Sequence, residues 1–245
     1  MIKNQKRLEH LGHETDPDFQ IAHQVKEYFH VRKPRIDEYK SFIITSRNPV
    51  DRMISWFIYA HPKNNLLYSY DKSTELFDCY DQVDDLVTYG LQKRTNDTLK
   101  TTSGKSCQEI AQDVIQGKPS YYLHMAKNYE YYTSDILQDT RNEIFLLRTE
   151  NFWSDWQKIN FMLGGGSIKK HKVATHREGK EGSMKVTSRS ISDEGLRNAC
   201  YSLCREIQLY KELLNRAVNL SKNDKMRSFQ NLKESCPLET ESSTC

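Results

Sequence analysis

Two short apolar runs set the terms for what this chain can fold into. Ser41-Phe42-Ile43-Ile44-Thr45-Ser46 is rich in β-branched residues and reads as a buried strand. Glu143-Ile144-Phe145-Leu146-Leu147-Arg148 reads as a second. The stretches around and between them read as helices, and strands separated by helices imply a parallel sheet with crossover helices. The expected fold class is α/β: a three-layer domain with a short parallel sheet flanked by helices. A strand as apolar as 42–46 is expected to have neighbours on both sides.

Caps and stops place the helices. Arg47-Asn48-Pro49 ends the first strand; Asn48 is a good N-cap and Pro49 suits the first helical position. Val50, Met53, Ile54, Phe57 and Ile58 then form one apolar stripe as far as His61-Pro62. Further helices are expected at Tyr80–Leu91, Cys107–Gln116 and Tyr121–Leu137, and around Phe19–Tyr28. Another runs through Trp153, Trp156, Ile159 and Leu163 to Gly164-Gly165-Gly166. One long helix starts at Ser192-Asp193-Glu194 and carries a stripe from Leu196 to Ala217. Residues 167–190 form a basic loop. From about Lys222 too few apolar residues remain to pack, so 222–245 reads as a disordered tail behind a domain at 1–221.

The 245 residues can bury a real core without disulfides. No run of 18 apolar residues exists to span a bilayer, and the basic N-terminus lacks the apolar segment of a secretory signal. A net charge of +3 is too small to argue for nucleic acid as a partner. None of the six cysteines forms a CxxC pair, which argues against a zinc site. Cys79 and Cys107 flank a polar insertion and can bridge in an oxidising compartment; Cys200 and Cys204, four apart on a helix, read as core thiols. Asn96-Asp97-Thr98 and Asn219-Leu220-Ser221 are sequons that fit a lumenal protein.

The strand–Arg47-Asn48-Pro49–helix unit is the segment that carries chemistry. Arg47 stands at the carboxyl end of a parallel strand, where open α/β sheets bind ligands. The helix start beside it offers backbone N–H groups and a positive dipole end. Arg47 and the Ser55 hydroxyl can clamp a phosphate from two sides. The plain alternative is an N-capped helix whose Arg47 pairs with Asp51.

Phe42 to Phe57 resembles the 3′-phosphate-binding segment of sulfotransferases: a hydrophobic strand, then R-[DN]-P-x-x-R-x-x-S and an aromatic. The likeness is nearest to the Golgi carbohydrate sulfotransferases. It implies that Arg47 and Ser55 hold the 3′-phosphate of PAPS (3′-phosphoadenosine 5′-phosphosulfate). Two later stretches are similar in order. Ile144 to Phe152, continuing through Asp155-Trp156 to Leu163-Gly164, resembles the family's later strand, its Arg-Thr-Glu end and the following helix. Ser192 to Leu220 resembles its closing helix. Tyr28-Phe29-His30-Val31 resembles the stretch that carries the catalytic base, which implies that His30 takes the acceptor proton; His13 and His23 are weaker rivals, and a surface histidine is the plain reading. Arg177, Gly179 and Lys180 resemble the basic-glycine loop that touches the cofactor, against a reading as a solvated charge run.

The resemblance implies sulfuryl transfer from PAPS to a hydroxyl or amine of a glycan or proteoglycan acceptor in the Golgi lumen. No metal and no nucleic acid enter that reading, and a membrane enters it only through an anchor not present in this chain. One family element has no counterpart: nothing in residues 1–40 resembles the P-K-x-G-T-[ST] turn that binds the 5′-phosphosulfate. The expectation is a fragment of a longer enzyme or a degenerate member, so a non-catalytic nucleotide- or glycan-binding protein stands as the alternative. A P-loop kinase or NTPase is more distant. Ser103-Gly104-Lys105-Ser106 ends like a Walker A motif, but Leu99 occupies its first glycine position, and Asn96–Thr102 is too polar for the strand that feeds such a loop.

Overall fold

A computed structural model describes residues 40–64, 75–92, 101–118, 125, 127–167 and 188–237. The two apolar runs form strands β1 (Ser41–Ser46) and β2 (Glu143–Arg148). They pair in parallel, in register from Ser41 opposite Glu143 to Ser46 opposite Arg148. The first helix, α1, covers Pro49–Ala60. A short helix α2 (Glu75–Cys79) follows, then α3 (Val83–Asp85), which widens into a π-type turn over Leu86–Gly90. Next come α4 (Cys107–Ile115) and α5 (Tyr129–Gln138). After β2 the chain forms α6 (Phe152–Met162), α7 (Asp193–Ser202), α8 (Cys204–Arg216) and α9 (Lys222–Ser235). The protein is mixed α/β and mostly helical, with a short two-stranded parallel sheet.

β2 is buried on both faces because its side chains alternate across the sheet. Ile144 and Leu146 enter the large core built on Met53, Phe57, Ile110, Ile207, Leu213 and their neighbours. Phe145 and Leu147 enter a smaller cluster with Ile159 of α6, flanked by Ile43 and Trp156. Helices therefore cover both faces of the sheet, as the continuous apolar run requires.

Among the described residues β1 pairs only with β2. The far edge of β2 is closed differently. Ala217 bridges Ile144, and the Val218 amide donates to the Ile144 carbonyl at 2.9 Å. The Asn219 side chain then accepts from the Leu146 amide at 2.7 Å and donates to the Leu146 carbonyl at 2.9 Å. A three-residue segment and one amide side chain take the place of an edge strand, so buried backbone groups are satisfied without one. The sequon at Asn219 is consequently spent on the fold. Its amide nitrogen is the donor to Leu146, and the residue is 6% exposed.

Three expectations are corrected. The long closing helix breaks at Leu203 into α7 and α8. Cys200 is bridged to Cys236 and Cys204 is also disulfide-bonded, so neither is a core thiol. The foreseen Cys79–Cys107 bridge forms. The segment read as a disordered tail is helical over 222–235. Ser221 and Asp224 cap it reciprocally, and Cys236 ties its end to α7. Composition missed this helix because it is held by charge and a covalent bond more than by apolar area.

Candidate functional site

The site is built where β1 hands the chain to α1. Asn48 caps the helix, its Oδ1 accepting from the Val50 amide at 3.0 Å, and Pro49 sits inside the first turn. The Asn48 carbonyl accepts the first intrahelical bond, from the Arg52 amide at 2.8 Å. The turn is anchored from outside on two sides. Asn48 Nδ2 donates to the Ser235 hydroxyl of α9 at 3.1 Å. The Tyr129 hydroxyl, at the start of α5, fits between both backbone groups of Arg47: it accepts from the amide at 2.7 Å and donates to the carbonyl at 2.5 Å.

Tyr129 is itself held tightly. Its ring stacks on Tyr210 of α8 with centroids 6.1 Å apart, and the Arg52 guanidinium lies 5.8 Å from its centre. Burial pushes its phenol well above the ordinary range, so it stays protonated and able to donate. The α5 start that carries it is capped by a carboxylate. Glu206 of α8 accepts from the Tyr129 amide at 2.9 Å and from the Glu130 amide at 3.3 Å. Burial raises the Glu206 pKa, opposed by those amides and by Arg52, whose Nη1 lies 3.6 Å away. A buried anion at a helix start facing a guanidinium is a favourable placement for both charges. Arg52 thus belongs to this internal network; a second of its nitrogens donates to the Lys127 carbonyl at 3.0 Å.

Of the residues singled out from sequence, Arg47 and Ser55 fall on this unit. Arg47 is half-buried in the turn. Ser55 is 7% exposed, seven residues beyond the cap and thus about 10 Å up the helix. At the end of β1 the Ser46 hydroxyl is buried and has no hydrogen-bond partner among the described residues. A helix start, an arginine and an orphan buried hydroxyl within three consecutive positions are residue types suited to an anion. His30, Arg177, Gly179 and Lys180, with His13 and His23, lie outside the described residues.

Two other sequence signals resolve into structural roles. In Ser103-Gly104-Lys105-Ser106, Gly104 takes a turn at φ +81°. Ser106 caps α4 reciprocally with Glu109, and Lys105 pairs with Asp113 at 2.7 Å. These residues form a capped helix start. Arg148, which opens the Arg-Thr-Glu stretch, is 2% exposed. It grips Asp155 of α6 through two nitrogens at 2.8 and 2.7 Å and reaches the Ser228 hydroxyl and Asp224 carbonyl of α9. It clamps elements together rather than facing a ligand.

Sequence reasoning missed Tyr129 and Ser235, which hold the turn across 82 and 187 positions of chain, and Glu206, which caps the Tyr129 amide across 77. Only the tyrosine-rich character of 121–137 hinted at any of them. No family model, no curated protein and no solved structure matches the chain.

Proposed function

We propose that this chain is a PAPS-dependent sulfotransferase of the P-loop-like type, acting on a hydroxyl or amine of a carbohydrate. The observation that carries the reading is the β1–α1 turn. It sets Arg47 at the carboxyl end of a parallel strand and beside a capped helix start, in the residue pattern of a 3′-phosphate site. The orphan Ser46 hydroxyl beside it supports an anionic occupant. PAPS, when bound, supplies the sulfuryl group, which moves in line to the acceptor oxygen or nitrogen. Arg47 and Ser55 bind and orient the 3′-phosphate, and His30 takes the acceptor proton. The disulfides Cys79–Cys107 and Cys200–Cys236 support an oxidising compartment, in keeping with the Golgi lumen.

Calorimetry with adenosine 3′,5′-bisphosphate and AMP tests the reading. The chain is expected to prefer the bisphosphate, and Arg47→Ala to weaken that binding by about 1.5–3 kcal/mol, the scale of a charge-assisted hydrogen bond. Equal affinities overturn the proposal; preference for ATP with Mg²⁺, lost in Lys105→Ala, would favour a kinase instead. The second reading is a nucleotide- or glycan-binding protein without turnover. Labelled PAPS separates the two. Transfer to a glycan that falls about a hundredfold in His30→Ala marks the enzyme, and nucleotide binding without transfer to any glycan marks the binding protein.

A further inference from the structure

A binding side chain carried on a loop needs its backbone held by the surrounding scaffold. Arg47 belongs to neither strand nor helix, lying between the last residue of β1 and the cap of α1. Its amide and carbonyl are instead closed by one atom, the Tyr129 hydroxyl, at 2.7 and 2.5 Å. That atom is fixed in turn by the Tyr210 stack, by the Arg52 guanidinium over the ring and by the Glu206 cap on the α5 start. We propose that Tyr129 is a positioning residue for the anion site: its hydroxyl sets the Arg47 backbone and so aims the guanidinium at the 3′-phosphate. The inference rests on the sulfotransferase reading, because it needs Arg47 to face that phosphate.

Removing the hydroxyl has a defined consequence. Phenylalanine keeps the stack and the packing but leaves a backbone donor and a backbone acceptor at residue 47 without their partner. The turn then moves to satisfy them elsewhere, and a side chain as long as arginine magnifies a small change at its root. The turn carries the arginine assigned to the 3′-phosphate, which AMP lacks, so the loss is expected to fall on recognition of that phosphate. A purely structural tyrosine would weaken both nucleotides together or neither.

The experiment uses the full chain and two probes, adenosine 3′,5′-bisphosphate and AMP, measured by calorimetry below the melting temperature of each variant. Tyr129→Phe is expected to lower the bisphosphate affinity about tenfold, the size of one to two neutral hydrogen bonds, and to leave AMP unchanged. In Arg47→Ala/Tyr129→Phe the loss is expected to equal that of Arg47→Ala alone, since the tyrosine acts through the arginine. Glu206→Gln keeps the hydroxyl but slackens the helix start beneath it. It is expected to give an intermediate ratio, and it serves as the probe if Tyr129→Phe does not fold. An unchanged bisphosphate-to-AMP ratio in whichever of the two single variants folds, or additive losses in the double variant, overturns the positioning role while the sulfotransferase reading stands. Equal binding of the two nucleotides by the unaltered chain overturns both.

Discussion

At the residue scale, buried charge in this protein is assigned to joints between elements. Arg148 is held by Asp155 and by two groups of α9 with almost no exposure. Such pairs are weak contributors against a well-packed apolar substitute, yet breaking one leaves a buried charge uncompensated. Arg148→Met is therefore expected to cost about 3–5 kcal/mol in chemical denaturation, and Arg148→Met with Asp155→Leu to recover most of it. Asp224 is one of the carboxylates that tie stability to pH. Burial alone would raise its carboxyl, but Lys158 at 2.7 Å and the Ser221 hydroxyl and amide hold it well below the usual range. A depressed folded pKa adds stability above the unfolded value, near 3.9, and that stability is lost as pH falls further. Asp224→Asn is expected to be less stable than the parent at pH 7, and the gap to narrow below the unfolded value and close only as pH falls through the depressed folded pKa, well below the usual carboxylate range. Parallel denaturation curves across that range would show that Asp224 adds nothing to the acid limb.

At the element scale, α9 is the instructive case. It carries few apolar residues, and its buried set is Asp224, Ser228 and Leu232. Its anchors are polar or covalent: the Ser221–Asp224 cap, the Lys158 and Arg148 contacts, the Asn48–Ser235 bond and the Cys200–Cys236 bridge. A bridge spanning 36 positions removes about 3–4 kcal/mol of unfolded-state entropy in the chain-entropy account. Cys200→Ser/Cys236→Ser is thus expected to lower the melting temperature by roughly 6–16 °C for a chain of this size. Because α9 ends on Asn48, the same variant is expected to weaken bisphosphate binding. A melting temperature equal to the parent's would mean that the polar anchors suffice.

At the scale of the whole molecule, distant segments of the fold meet at the β1–α1 turn and at the outer edge of β2, among other places. Asn219 illustrates the second: one amide side chain closes the sheet edge that a strand would otherwise cover. Asn219→Ala strands two buried backbone groups and is expected to cost about 2–6 kcal/mol, taking the scale of one unsatisfied group for each. Glycopeptide mass spectrometry of the chain made in a secretory host is expected to find no glycan at Asn219, and a glycan there is incompatible with the bonds to Leu146. The sequence by itself determined both strands, their parallel pairing, α1 with its Asn48 cap and Pro49, the start of α4 at Cys107 and the place of Arg47 at the end of β1. These follow from local rules, since periodicity, caps and β-branched runs act within a few residues. Tertiary structure alone decided that α9 is ordered, that Leu203 breaks the closing helix, that Cys200 meets Cys236, and that Tyr129 and Ser235 brace the turn carrying Arg47. Each of these depends on groups dozens to nearly two hundred positions apart. Their hydrogen bonds and bridges leave no periodic trace in a polar sequence, because one well-placed hydroxyl or thiol does the work that a whole apolar face does elsewhere.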